Sequence, residues 1–309
     1  MTEHRRLAGA RAFLLAGAAI FALAAPACAA QDCREIERNY QMNKAEAVAA
    51  QTDLALFAAA DSGCDALARA LIGAGASLSA RDRFGTAPLA HAARAGQVRL
   101  VELFLESGAP IDARNIVGST ALLAAADGQK PATVALLLAK GADPNLSGRS
   151  ELTPLIAASF NGNDRIVEDL LAHGADANAR DATGKGAIVY AAARGFDGIV
   201  GRLIGAGVDA QARYGNDLTA LMWAAGHDEG VGAAAVARVI DLLLAHGAAL
   251  DNTDNRGRTA LMIAAEQNDD AVVELLLRRG ADRAMKDKQG KTALDLATNA
   301  AVREKLGAK

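Results

Sequence analysis

Apolar and polar positions along the chain repeat on a period of 33 residues. The dipeptide Gly-Ala recurs at Gly75, Gly108, Gly141, Gly174, Gly247 and Gly280, with Gly-Val at Gly207. Successive spacings are 33, 33, 33, 33, 40 and 33. A second column lies ahead of the first. It reads Ala-Pro-Leu at Ala87, Thr-Ala-Leu at Thr120, Thr-Pro-Leu at Thr153, Gly-Ala-Ile at Gly186, and Thr-Ala-Leu at Thr219, Thr259 and Thr292. Its spacings are the same. Two columns that share one period and one insertion point to a repeat architecture before any local motif is weighed.

Residues 153–184 carry the grammar of one unit. Thr153-Pro154 opens a helix, with proline in the first turn, where its missing N–H is not needed. This helix runs to Phe160, and Asn161-Gly162-Asn163 breaks it. Ile166, Val167, Leu170 and Leu171 then recur at helical spacing and predict a second helix. Gly174 ends it, where a left-handed residue is cheap. The turn-rich segment Asp176–Gly184 closes the unit.

This pattern resembles the ankyrin repeat, a helix pair followed by a hairpin-like loop. The resemblance implies an all-α solenoid of about eight repeats over residues 52–309. The unit from Leu54 is degenerate, and the last, from Lys291, is a shortened C-terminal cap. The sequence departs from the family in three ways. The histidine of the family's Thr-Pro-Leu-His motif is absent; Phe57, Ala90, Leu123, Ile156, Val189, Met222, Met262 and Asp295 hold its column. Packing is therefore expected to replace its polar link in most units. Asp217 stands where glycine is usual, which predicts an irregular hairpin. Unit six carries seven extra residues around His227–Ala233.

Composition narrows the class. Apolar residues make up 51% and charged residues 22%, too apolar for a disordered chain. A net charge of −3 argues against nucleic acid. The first thirty residues stand apart: a basic start at His4, Arg5, Arg6 and Arg11, an uncharged run from Ala12 to Ala25, then small residues at Ala27–Ala30. This reads as a secretory signal peptide over 1–30, with an uncleaved membrane anchor as the alternative. Cleavage would leave a net charge of −5. It would also leave Cys33 and Cys64, which in an exported chain read as one disulfide, the alternative being two free thiols. The polar segment 31–51 is helical in pattern and reads as an N-terminal capping helix.

In ankyrin arrays, the two slots after the Ala-Ala pair of each inner helix and the hairpin tips face a concave groove. Carried onto this chain, those slots hold Arg94, Asp127, Phe160, Asn161, Arg194 and His227. The tips hold Arg83, Phe84, Ile116, Val117, Arg149, Tyr214 and Arg256. Phe84, Ile116, Val117, Phe160 and Tyr214 are apolar or aromatic where polar residues are expected, which marks them as binding anchors. The alternative is that Phe84 and Ile116 fold back onto neighbouring hairpins. Tyr190 and Trp223, mid-helix, read as core. Arg81, Arg114, Arg180, Arg213 and Lys286 form a basic column, read as structural and paired with nearby Asp82 or Asp181, the alternative being a recognition stripe for an acidic partner. Asp143, Asp176, Asp209 and Asp282 are expected to accept hairpin N–H bonds.

Other chemistry finds little footing. Gly205–Ala210 matches a dinucleotide fingerprint but ends a helix instead of opening one. Asp251–Gly257 looks like a calcium loop but places Arg256 at a ligand slot. The histidines are not at metal spacing. No metal, cofactor, small-molecule substrate or catalytic residue is expected. The expected function is protein–protein interaction by a periplasmic or secreted scaffold. Exported bacterial ankyrin proteins of this type resemble a group linked to periplasmic catalase, which implies catalase as a candidate client. Two rival readings stand beside it: an immunity or inhibitor protein, which an acidic groove would favour, and an enzyme, which a deep polar pocket near the insertion of unit six would favour.

Overall fold

The computed structural model describes residues 26–43 and 49–307. The expected signal segment 1–30 therefore lies outside the described residues, except for Pro26–Ala30. The chain divides into two compact units, the second beginning at Leu78.

In the first unit, helix α1 (Pro26–Asn43) is followed by the pair α2 (Ala49–Ser62) and α3 (Asp65–Gly73). Leu56, Ala59 and Ala60 of α2 and Leu67, Ala68 and Leu71 of α3 are buried. The stretch 31–51 is thus helical in α1 up to Asn43 and again from Ala49. Cys33 of α1 is disulfide-bonded to Cys64, which precedes α3, with Cα atoms 5.5 Å apart. The two cysteines are a disulfide, not free thiols.

The second unit is a stack of helix pairs: α4/α5 (Pro88–Ala95, Val98–Glu106), α6/α7 (Ala121–Asp127, Pro131–Ala139) and α8/α9 (Pro154–Asn161, Asp164–Ala172) come first. Then follow α10/α11 (Ala187–Ala193, Asp197–Gly205), α12/α13 (Ala220–Ala225, Ala233–Ala245), α14/α15 (Ala260–Gln267, Asp270–Arg278) and α16/α17 (Ala293–Leu296, Ala300–Gly307). The first helix of each pair packs on the first helix of the next, and the second on the second. With α2/α3 of the first unit the described residues hold eight helix pairs, and the seven of the second unit form an all-α solenoid.

The repeated residues explain the repeated geometry. The hydroxyls of Thr120, Thr153, Thr219 and Thr259 accept the N–H three residues on, at 3.2–3.3 Å, and cap the first helices. The column that lacks histidine is buried from Phe57 to Met262. Asp295 differs: its carboxylate accepts the N–H and hydroxyl of Thr292, closing a capping box on α16. Second helices bury one stripe, as in Val236, Val239, Ile240 and Leu243 of α13. The joint between the helices is tight. Gly162 has φ +74°, and a Cβ there would lie 2.4 Å from the Phe196 ring.

The insertion of unit six is shared between loop and helix. Two residues join α8 to α9, but seven, Gly226–Gly232, join α12 to α13. Helix α13 has 13 residues where α9 has nine, and α12 has six where α8 has eight. The loop is anchored on both sides. The Asp228 N–H donates to Ala193 O at 2.9 Å, and His227 Nε2 lies 2.7 Å from Asp269 Oδ2 at the start of α15.

A candidate protein-binding surface on the hairpin edge

Five hairpins are built by one device. An Asp or Asn carboxyl or amide oxygen accepts the N–H groups two and four residues on. Asp82 accepts from Phe84 and Thr86 at 2.8 Å, and Asn115, Asp181, Asp254 and Asp287 do the same in their hairpins. Two hairpins lack that residue. There Glu151 and Asp217 take the glycine position at φ +59° and +60°, preceded by Ser150 and Asn216 at +58° and +64°. The irregular hairpin predicted at Asp217 is present, and a second, at Glu151, went unpredicted. Arg213–Tyr214 (β1) pairs antiparallel with Leu218–Thr219 (β2) across the former.

The tips are bonded into one edge. Ile116 N–H donates to Phe84 O (3.1 Å), Ala182 to Ser150 O (2.9 Å), Gly215 to Gly184 O (3.3 Å), Asn255 to Asn216 O (3.1 Å) and Lys288 to Arg256 O (2.9 Å). The remaining step is bridged by a side chain: Arg114 donates to Gly118 O in its own hairpin and to Ser147 O in the next. Arg213 repeats this with Asp217 O and Thr253 O. Two members of the basic column, Arg114 and Arg213, are thus tied into the hairpin frame, and they bond to carbonyls and not to the expected aspartates. Asp143, Asp176, Asp209 and Asp282 each accept the N–H two residues on, as expected.

The candidate anchors separate on this frame. Phe84, Ile116 and Val117 stand 50%, 72% and 42% exposed on adjacent tips. The Arg83 guanidinium stacks on the Phe84 ring at 4.6 Å. Arg94 and Asp127 are exposed at helix ends, as are Arg149 and Arg256 on their tips. Asn161 is half-buried and donates from Nδ2 to Asp127 O at 3.2 Å. Phe160 is half-buried, edge-on to Tyr190 at 5.7 Å and beneath the Arg194 guanidinium at 4.5 Å. His227 is half-buried and tied to Asp269, so it holds the insertion in place. Tyr214 departs from expectation. It is 6% exposed, because strand β1 turns its ring inward against Gly186 and beneath Arg180, 4.8 Å away. Burial raises its phenol above the ordinary value.

Tyr190 and Trp223, read as core, are half-buried instead, with Lys185 Nζ over both rings at 5.7 and 4.9 Å. Lys185 and Phe196 were not singled out in the sequence. Their signal was proximity to Tyr190 and Arg194, which only the stacking supplies. The Tyr190 hydroxyl donates to Asp181 Oδ2, and His91 Nε2 meets Asp82 Oδ2 at 3.2 Å. The polar link between helix and hairpin is therefore kept in two units by the residue after the usual histidine column. Burial alone would raise the Asp181 carboxyl, but Tyr190, Thr183 and the Lys185 N–H donate to it and hold it below its ordinary value. Burial and Asp181 together push the Tyr190 phenol upward.

Charge is sorted along the repeats. The seven tip segments, 80–86, 113–119, 146–152, 179–185, 212–218, 252–258 and 285–291, hold twelve Lys or Arg and six Asp or Glu. That gives +6 on the edge of a chain whose total is −3. Among the described residues no three His, Cys, Asp or Glu side chains are placed to hold a metal ion. No described helix is long and apolar enough to cross a membrane.

Comparison with protein families gives two matches. The family described as ankyrin repeats in three copies matches residues 56–148 and 155–233, and ankyrin repeats in many copies matches 243–297. A comparison with curated proteins gives no match.

Proposed function

Because the chain belongs to the ankyrin-repeat family, a non-catalytic scaffold for protein–protein interaction, we propose that it is an exported module that grips a protein partner by its hairpin edge and the adjoining ends of the inner helices. The observation that carries this reading is the exposure of Phe84, Ile116 and Val117 on two bonded tips. Large apolar side chains grouped in water and flanked by arginines are the usual anchors of an interface. Arg94, Asp127, Phe160, Asn161 and Arg194 supply the neighbouring polar and aromatic contacts.

Two observations support export to the periplasm or beyond. The first thirty residues have the three-part layout of a signal, and the Cys33–Cys64 disulfide suits an oxidising compartment. The client is a periplasmic enzyme, with catalase the candidate that the family resemblance implies. Charge gives the inhibitor reading no support, since that reading called for an acidic groove and the hairpin edge is basic.

The test is affinity capture of the full chain from periplasmic extract, read by mass spectrometry. Phe84→Ala and Ile116→Ala are expected to weaken capture without lowering Tm. Lowered Tm with unchanged capture would make them packing residues and overturn the reading, as would recovery of no specific protein under several growth conditions.

A further inference from the structure

The hairpin edge separates charge by direction as well as by number. Asp181 and Asp254 are buried and Asp82 is half-buried, each turned back onto N–H groups of its own turn. Arg81, Arg83, Arg114, Arg180 and Arg213 are exposed. Arg114 and Arg213 donate to carbonyl oxygens, which orient their guanidinium groups without neutralising them. The hydrogen bonds that build the Asp turns therefore draw those acids inward and leave bases at the rim, where Glu151 and Asp217 are the exposed acids of the seven tips. A fixed positive row of this kind steers and orients an anionic partner.

We propose that this edge docks an acidic polypeptide segment and seats one of its bulky apolar side chains on Phe84, Ile116 and Val117. The proposal rests on the reading that the hairpins bind proteins, and adds the chemistry of what they bind. Charge complementarity names the acidic flanks. The apolar seat names the anchor between them: Ile116 lies over Gly85, where a Cβ would come 2.9 Å from Ile116 Cγ2, so the two tips make a closed floor instead of separate side chains. A polypeptide fits this better than nucleic acid. The exposed anchors include two aliphatic side chains, which offer no stacking face to a base, and the chain as a whole is anionic.

The test is fluorescence anisotropy with the full chain and a labelled peptide in which two leucines lie between two blocks of glutamate. Binding is expected to weaken as salt rises. It is expected to fall at least about tenfold when Arg81 and Arg83 are both replaced by glutamate. The same double variant should gain affinity for a peptide with lysine blocks, an outcome that misfolding cannot produce. Arg278→Glu, on α15, should leave binding unchanged. Phe84→Ala and Ile116→Ala should erase the preference for leucines over alanines in the peptide. Equal binding of the glutamate and lysine peptides, no effect of charge reversal, or stronger binding of an oligonucleotide of equal charge would each overturn the proposal. If the glutamate peptide fails while capture from periplasmic extract still depends on Phe84 and Ile116, the acidic chemistry falls alone. If capture is also indifferent to them, the hairpin reading falls with it.

Discussion

Phe84 and Tyr214 are both aromatic residues near hairpin tips, and the fold treats them oppositely. Half of Phe84 is in water, whereas Tyr214 is shut in by the β1–β2 turn. Tyr214→Ala removes a buried ring and is expected to cost about 3–5 kcal/mol, measured by urea unfolding. A cost near zero would mean that the ring adds nothing to packing. No period or spacing separates these two residues. The distinction comes from the strand pair, which depends on Asn216 and Asp217 adopting left-handed backbone. Asp181 makes a different point at the same scale. Its folded carboxyl is held below its ordinary value, so the stability it contributes is present above the unfolded value, near pH 4, and is lost as pH falls through the folded value. Asp181→Asn should be less stable than the parent by about 1–3 kcal/mol at pH 7. The gap should narrow below about pH 4. A gap independent of pH would show that the carboxylate's charge is not what the turn uses.

At the scale of elements, the period of the sequence made the helix pairs legible, because most pairs repeat a threonine cap, a buried stripe and a left-handed glycine stop. Thr153, Ile166 and Gly174 could be placed on sight. Contacts between repeats were less legible. Arg114 reaches Ser147 and Arg213 reaches Thr253, 33 and 40 residues away, and nothing local to an arginine says whether it turns to a carbonyl or to an aspartate. The exported-chain reading did find the tie between α1 and the α2–α3 turn. The Cys33–Cys64 bond closes a 31-residue separation. Loop-closure entropy makes this worth roughly 3–4 kcal/mol to the unit it staples. Reduction is expected to lower amide protection in residues 49–73 and to leave the helices after Pro88 nearly unchanged. Equal loss in both regions, or none in either, would contradict a local staple.

Across the second unit, the buried core and the outward charge occupy different sides of the same repeat. Buried stripes hold neighbouring helices together in one dimension, while the bonded tips carry the outward charge. Bidentate pairs, Arg202 with Asp164 and Arg279 with Asp241, join neighbouring second helices. This division bears on how the chain accommodates extra length. The seven added residues of unit six lie in the 226–232 connection and the longer α13, yet the Asn255 to Asn216 link bridges tips 39 residues apart as tightly as the other links bridge tips 31 or 32 apart. Growth at that joint thus leaves the link between its two tips as short as those elsewhere, so extra length enters the stack without parting the hairpins it lies between.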